Sequence, residues 1–427
     1  MGFSCVILSK NDMNKIILII AGFVMSAGAF AQNNEMISLG AGYSNQSFYS
    51  FTNGEIANVD NTNWDIAFSV SGMGSAVRIN GGYGMELFTY PNGDLNDWST
   101  LDTTGMSSWT SQINSDKSWS LGAFDQNADE NEAFDLGWGI YSMITHYITG
   151  DSLHVLKWAD GSAKKFQLIQ LASGTYSFKF ADIDGGNEVE SSVVKSDFIG
   201  KNFAYYSIMN DEVIDREPLS ESWDLVFTKY VTELYPGMNY GVTGVLSNAG
   251  YSVAQAEGVP VADADYTTET FEEEINTIGY DWKSFNMDTY LYDLQADLSY
   301  FVRRDATNEI WKINFTGFAG SSSGDIEFNT ESVSSLGIDG PASLNTFTLY
   351  PNPCKQRVVN LIYEISSDEL LGKGTVLDMN GLVVYDFSLE NGGLRTKKLN
   401  LEHLAGGAYI VCYNSGTTLL RQKLILN

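Results

Sequence analysis

Apolar and polar side chains alternate along much of the chain with the two-residue period of a half-buried β-strand. In one such run, the aromatic residues Tyr176, Phe178 and Phe180 are separated by Ser177 and Lys179. Residue pairs that favour tight turns lie between the runs: Asn53-Gly54, Gly81-Gly82, Asn92-Gly93, Asp160-Gly161 and Asn380-Gly381. Because such pairs join the strands of hairpins, the pattern predicts an all-β protein.

One segment has a helical period instead. Residues 268–278 place Phe271, Ile275 and Ile278 on a single face of a helix. The three glutamates at 272–274 would then lie on its exposed face. This segment is the main helix that the sequence predicts.

Two short blocks of sequence occur twice. The sequence YSFTNGE at 49–55 corresponds to YSIMNDE at 206–212, and NWDIAF at 63–68 corresponds to SWDLVF at 222–227. The two pairs of blocks have nearly the same offset: the tyrosines that begin the first pair, at 49 and 206, are 157 residues apart, and the tryptophans of the second pair, at 64 and 223, are 159 residues apart. An internal repeat of this kind predicts two related β-rich modules in tandem.

The charge of the chain changes near residue 335. Residues 338–427 contain eight basic and eight acidic side chains, so the rest of the chain carries the whole net charge. A domain boundary is expected there, because a polar, linker-like stretch precedes the change. We predict modules at 35–195 and 196–335, a linker at 336–341 and a C-terminal domain at 342–427.

The composition restricts the class of partner. With 24 basic and 53 acidic residues, the net charge is -29, which repels phosphate backbones and anionic lipid headgroups. We therefore expect no nucleic-acid partner. A hydrophobic content of 44% favours folded cores over disorder. Cys354 and Cys412 either form one disulfide bridge or stay as buried thiols.

The N-terminus has the form of a secretory signal peptide over 1–31. A positive charge precedes the apolar run 16–25, and small residues follow up to Ala31, where we expect cleavage. The start at Met1 or at Met13 stays open. The run is too short to span a membrane comfortably, and no other stretch approaches that length, so we predict export to the periplasm and no transmembrane segment.

Two motifs resemble catalytic or metal-binding sequences but lack their context. The sequence GSSSG at 320–324 matches the nucleophile elbow G-x-S-x-G, yet the strand-like residues 325–328 follow it where an elbow needs a helix. The acidic loop that starts at Asp125 has Glu130 and Leu136 where an EF-hand requires glycine and glutamate. We predict no catalytic residue and no metal site, hence a protein that is not an enzyme.

Four elements occur in order in the C-terminal region: LYPNP at 349–353, DMNG at 378–381, LAGGAYI at 404–410 and RQKLIL at 421–426. Together they resemble the type A sorting domain of proteins exported by the type IX secretion system of Bacteroidota. The resemblance implies a β-sandwich that directs the protein across the outer membrane and has the type IX machinery as its partner. The expected location is secreted or on the outer cell surface.

The repeated blocks resemble the HmuY family, extracellular β proteins whose type members bind haem through two axial histidines. The sequences DLGWG at 135–139 and GVTGVL at 241–246 also resemble this family. These motifs are core patterns rather than ligand patterns. The resemblance implies that haem is one candidate ligand, and the cofactor is otherwise unknown.

His146 and His154 are the candidate haem ligands, and they flank a predicted hairpin turn at 149–152. A two-residue turn points the rings to opposite faces of the sheet, whereas a three-residue turn sets them directly opposite, with Cβ atoms about 5 Å apart. Neither arrangement places an iron between two imidazoles. One histidine together with a methionine or tyrosine from elsewhere is another way to hold haem, and the alternative is that both are ordinary surface or sheet-face histidines.

Two functions stay open at this point. The first is a non-enzymatic secreted or surface protein that binds haem or another small ligand. The second is a structural or adhesive surface protein without a small-molecule site.

Overall fold

The computed structural model describes residues 33–333, 347–365, 373–378, 382–389, 393–414 and 419–426. The predicted signal peptide, the linker at 336–341 and the Asn380-Gly381 turn lie outside these residues. The chain divides into two compact units, one up to Ser334 and the other from Ser335. Both units are built from antiparallel strands.

The first unit contains 22 strands among the described residues. They are β1 (Asn33–Ser38), β2 (Asn45–Ser50), β3 (Gly54–Asp60), β4 (Ile66–Ser69), β5 (Val77–Ile79), β6 (Glu86–Thr89), β7 (Gly139–Tyr141), β8 (Ile148–Gly150), β9 (His154–Lys157), β10 (Ala163–Ala172), β11 (Thr175–Asp182), β12 (Val189–Val194), β13 (Phe203–Ser207), β14 (Glu212–Ile214), β15 (Leu225–Tyr235), β16 (Met238–Ser247), β17 (Tyr251–Glu257), β18 (Lys283–Asn286), β19 (Leu291–Leu294), β20 (Leu298–Arg304), β21 (Glu309–Phe318) and β22 (Asp325–Ser332). The prediction of an all-β protein is confirmed. In β11 the aromatic residues are buried and the residues between them are half-buried, as the alternation predicted.

Every helix among the described residues is a short 3-10 turn. These turns are Ala41–Tyr43, Gly81–Tyr83, Leu95–Ser99, Met106–Ser108, Ala123–Asp125, Lys195–Phe198, Ser220–Ser222, Tyr266–Thr268 and Gly320–Ser322. The helix predicted at 268–278 is therefore wrong. Glu272 and Val253 exchange two backbone hydrogen bonds of 2.8 Å, which hold this stretch extended against the edge of β17. Ile275 and Ile278 are buried even so, because an irregular segment also turns apolar residues inward.

The first unit holds two large cores, each lined by residues from two sheets. One core lies between the sheet β12-β11-β10-β8-β7, to which β9 and β6 are attached, and the sheet β14-β13-β4-β5. The other lies between β1-β22-β21-β20-β17 and β16-β15-β2-β3. The hairpin β18-β19 forms a two-stranded sheet of its own.

The two predicted modules, 35–195 and 196–335, exchange strands in this unit. Strand β2 of the first module pairs with β15 of the second, and β13 of the second pairs with β4 of the first. Each copy of the repeat thus contributes one hairpin to each of two equivalent four-stranded sheets. Residues 33–60 share a core with 225–332, while residues 66–214 form the other core.

An aspartate from each repeated block completes this exchange. Asp65 precedes β4, and its Oδ2 accepts the backbone N–H of Ile208 at 2.7 Å, just after β13. Asp224 precedes β15, and its Oδ2 accepts the backbone N–H of Phe51 at 2.6 Å, just after β2. In each copy of the repeat, the aspartate before the strand therefore accepts a hydrogen bond from the turn of the other copy.

The second unit consists of two sheets around one core. Its strands are β23 (Phe347–Tyr350), β24 (Val358–Ile365), β25 (Lys373–Leu377), β26 (Val383–Ser388), β27 (Gly393–Asn400), β28 (Gly407–Asn414) and β29 (Leu419–Leu426). The sheets β23-β24-β27 and β26-β25-β28-β29 share a core that includes Leu361, Val411 and Leu424. Cys354 and Cys412 are buried thiols with no disulfide bond between them in the described structure. Among the described residues of both units, no helix is long and apolar enough to cross a membrane.

Candidate functional site

His146 lies in the loop between β7 and β8, where its side chain is exposed. A positive φ of 58° and a backbone hydrogen bond of 2.8 Å from its N–H to the Ser142 carbonyl shape this loop. The Tyr141 hydroxyl lies 2.7 Å from His146 Nδ1. This contact orients the ring, and it is made by Nδ1 and not by Nε2.

A groove of about 400 Å³ opens beside His146. Its wall is mostly apolar, formed by Met73, Phe134, Leu136, Tyr141, Ile148 and Leu171. Met73 lies on the loop between β4 and β5, and 91% of its side chain is exposed. Ile144, two residues before His146 in the same loop, is exposed to a similar degree. Exposed apolar side chains around a concave surface are typical of a binding site rather than of an ordinary protein surface.

His154 lies in a different environment from His146. It is the first residue of β9 and is completely buried, with its ring packed edge-on against Phe124 at 4.8 Å between centroids. Neither ring nitrogen has a hydrogen-bond partner within the described residues. Burial lowers the pKa of His154 to about 3, so the ring is neutral at physiological pH. The structure does not bring the two candidate histidines together: His146 lines the groove and His154 lies in the core.

The hairpin turn predicted at 149–152 is wrong. Strands β8 and β9 do not pair with each other; both pair with β10, one after the other along it. Gly150 is required here for a close approach between strands, since a Cβ at this position would meet the Leu168 carbonyl oxygen at 1.8 Å. The glycine that suggested a turn therefore serves strand packing.

Lys195 connects this groove to a second, wider one. Both grooves include Gly72 and Lys195 in their walls. The wider groove has a volume of about 1220 Å³ and also exposes Lys201 and Arg304. Lys201 pairs with Asp215, and Arg304 Nη2 lies 2.8 Å from Asp224 Oδ1.

Met73, Tyr141 and Lys195 are among the groove residues that the sequence did not single out. Met73 stands between two glycines, Gly72 and Gly74, which is a local signal of an exposed loop. Tyr141 and Lys195 carry no comparable signal. Each reaches the groove only because the strands and turns around it fold together.

Comparison with known proteins gives two family matches. Residues 42–180 match the family described as HmuY protein, and residues 348–427 match the family described as secretion system C-terminal sorting domain. No curated protein matches the chain. Among solved structures, a truncated trimeric ectodomain of the C. elegans fusion protein EFF-1 is 10% identical over 65% of this chain and 68% of that chain. The TM-score of this match is 0.16.

These matches agree with the two resemblances that the motifs carried. The sorting domain indicates a secreted or cell-surface protein that interacts with the type IX secretion system. The match to HmuY covers His146 and His154 and stops before the second repeated block, so it does not extend to a second copy. The chain is thus similar to HmuY proteins over residues 42–180 and carries a type IX sorting domain over residues 348–427.

Proposed function

We propose that this protein is a non-enzymatic secreted or surface protein that binds haem, or another flat apolar molecule, in the His146 groove. The observation that carries the proposal is an apolar groove with an imidazole on its wall, inside the region similar to HmuY proteins. A volume of about 400 Å³ is in the range of small-molecule sites.

The side chains of the groove suit an iron porphyrin. Haem iron accepts imidazole and thioether ligands, and the groove offers one of each in His146 and Met73. If haem binds, His146 and Met73 would hold its iron. His154 is excluded from this set as long as the core around Phe124 stays closed. The proposed site is therefore a mixed one, without a pair of histidines.

The proposed route of export begins with the signal peptide at 1–31, which directs the chain to the periplasm. The sorting domain then directs it through the type IX machinery to the cell surface or the medium.

Titration with haemin tests the proposal. The purified chain from residue 32 to 427 is mixed with haemin, and the Soret and visible bands are recorded. We expect a spectrum with one histidine ligand that is lost or shifted in His146→Ala and altered in Met73→Leu. His403→Ala is the matched control, because His403 is an exposed histidine of the second unit.

Two results would count against the proposed site. A bis-histidine spectrum that His146→Ala and His154→Ala abolish equally would show that the core opens to admit the ligand. No spectral change with the unaltered chain would remove haem as the ligand and favour an adhesive protein.

The exposed aromatic residues of the β18-β19 hairpin support the second candidate function, adhesion. Phe285 and Tyr290 belong to this hairpin and are both exposed, together with Met287 and Leu291. Such a surface on a secreted protein is typical of an interaction site. If it is adhesive, replacing Phe285 and Tyr290 by serine will reduce adsorption of the chain to insoluble polysaccharide, with haemin binding unchanged.

A further inference from the structure

Lys195 is the one charged lysine or arginine among the described residues on the wall of the His146 groove. No carboxylate lies on this wall within the described part of the chain, although the sequence contains 53 acidic residues. Among the described residues, the wall of the groove thus carries one positive charge and no negative one, on a protein with a net charge of -29. A ligand that carries negative charge is favoured there over a neutral or cationic one.

The hydrogen bonds of Lys195 leave room for such a ligand. Its Nζ donates to the carbonyl oxygens of Gly74, at 2.6 Å, and Gly72, at 3.2 Å. An ammonium group has three donors, so one is left besides these two carbonyls, with the ring centroid of Tyr176 5.9 Å from Nζ. No carboxylate of the described residues pairs with Lys195, in contrast to Lys201 and Arg304 beside it.

We infer that Lys195 binds an acid group of the ligand, so that the groove selects flat apolar molecules that carry a carboxylate. The inference rests on the proposed function, because it concerns the same groove. The apolar walls take up the body of the ligand, and the ammonium group forms a charge-assisted hydrogen bond with its carboxylate. The two carbonyls that Lys195 contacts belong to the residues on either side of Met73, so its ammonium group lies close to the proposed iron ligand.

A pair of ligands that differ only in the acid groups tests this. Haemin carries free propionates, and in haemin dimethyl ester both are blocked. We expect the chain 32–427 to bind haemin about tenfold more tightly than the ester, as a charge-assisted hydrogen bond implies. Lys195→Gln should bind the ester as the unaltered chain does and lose this preference for haemin.

Two variants control for charge and for folding. Lys179→Gln removes an equally half-buried lysine without a carboxylate partner, whose Nζ lies 4.3 Å from the ring centroid of Trp98 and outside the groove. It changes the net charge by the same amount and should keep the preference. Lys195→Arg keeps the charge and should also keep the preference for haemin. Unchanged binding of the ester by Lys195→Gln shows that the groove is intact in that variant.

The outcomes separate the inference from the proposed function. An unaltered chain without preference, a preference that survives in Lys195→Gln, or equal weakening of both ligands in that variant would overturn the role of Lys195 while haem binding stands. Failure of the unaltered chain to bind either compound would overturn the proposed function and the inference with it.

Discussion

The imidazole of His154 is a buried polar group whose nitrogens bond to nothing in the described structure. Its pKa is about 3 in the folded protein against 6.5 for an unperturbed histidine, because burial penalises the charged form. Between these values the unfolded chain binds a proton that the folded chain does not. The free energy of unfolding therefore rises as the pH increases from about 3 to 6.5. Above pH 6.5 the histidine is neutral in both states, and its burial no longer costs protonation energy.

We predict that His154→Leu stabilises the protein, and more so in acid. At neutral pH the gain is about 1 kcal/mol, because an unsatisfied buried polar group is removed. At pH 5 it is larger by about 2 kcal/mol, since the unfolded state of the natural chain gains protonation energy there. Urea unfolding at pH 5 and pH 7 measures both values. His403→Leu, at an exposed histidine of the second unit, is the control, and an equal effect of His154→Leu at the two pH values would contradict the prediction.

At the scale of elements, the exchange of hairpins between the repeated blocks depends on Asp65 and Asp224. Each carboxylate accepts a backbone N–H from a turn that lies more than 140 residues away in the sequence. Asp224 is completely buried and also pairs with Arg304 and accepts the Tyr251 hydroxyl. Asp65 instead accepts the indole N–H of Trp158 at 2.8 Å and pairs with no cation among the described residues.

We predict that the two aspartates differ in what their removal costs. Asp224→Asn should lower the free energy of unfolding by about 3 kcal/mol, because Arg304 loses its buried partner and keeps only Glu309, which is exposed. Asp65→Asn should lower it by about 1.5 kcal/mol, the cost of weakened hydrogen bonds to a charged acceptor. Chemical denaturation measures both, with Asp184→Asn in an exposed turn as the control. A cost for Asp224→Asn no greater than that of the control would show that the turn of the first block holds without it.

At the scale of the whole molecule, the two units have separate cores and different charge. The cores of the first unit lie within residues 37–328, and the core of the second within 349–426. The second unit is close to electrically neutral, as its eight basic and eight acidic residues show. A unit with its own core is expected to fold by itself.

We predict that residues 32–334 unfold in a cooperative transition at the same temperature as in the chain 32–427. The reason is that the residues described in the two cores of the first unit all belong to that unit. Differential scanning calorimetry of both proteins at matched concentration checks this. Aggregation of the shorter protein, or loss of its cooperative transition, would show that the first unit depends on the second.

The sequence by itself determined the class of fold and the C-terminal domain. Side-chain alternation is a local property of a strand, so β11 could be recognised from its own residues. The sorting domain could be recognised from four motifs in order, for the same reason. The repeated blocks could also be found, because tryptophan and aspartate keep their places beside the strand that follows.

Only the tertiary structure decided which strands pair and which histidine is accessible. The exchange of β2 and β13 joins residues far apart in the sequence, and no local pattern encodes such a partner. The close contact of Gly150 with β10 likewise depends on a neighbouring strand, so a glycine beside an aspartate looked like a turn. His154 is buried because Phe124 from a distant turn packs on it, whereas His146 stands in a groove that Met73 and Lys195 complete. Burial and pairing are properties of surfaces that meet in space, and that is why composition and spacing could name two histidines but not assign their roles.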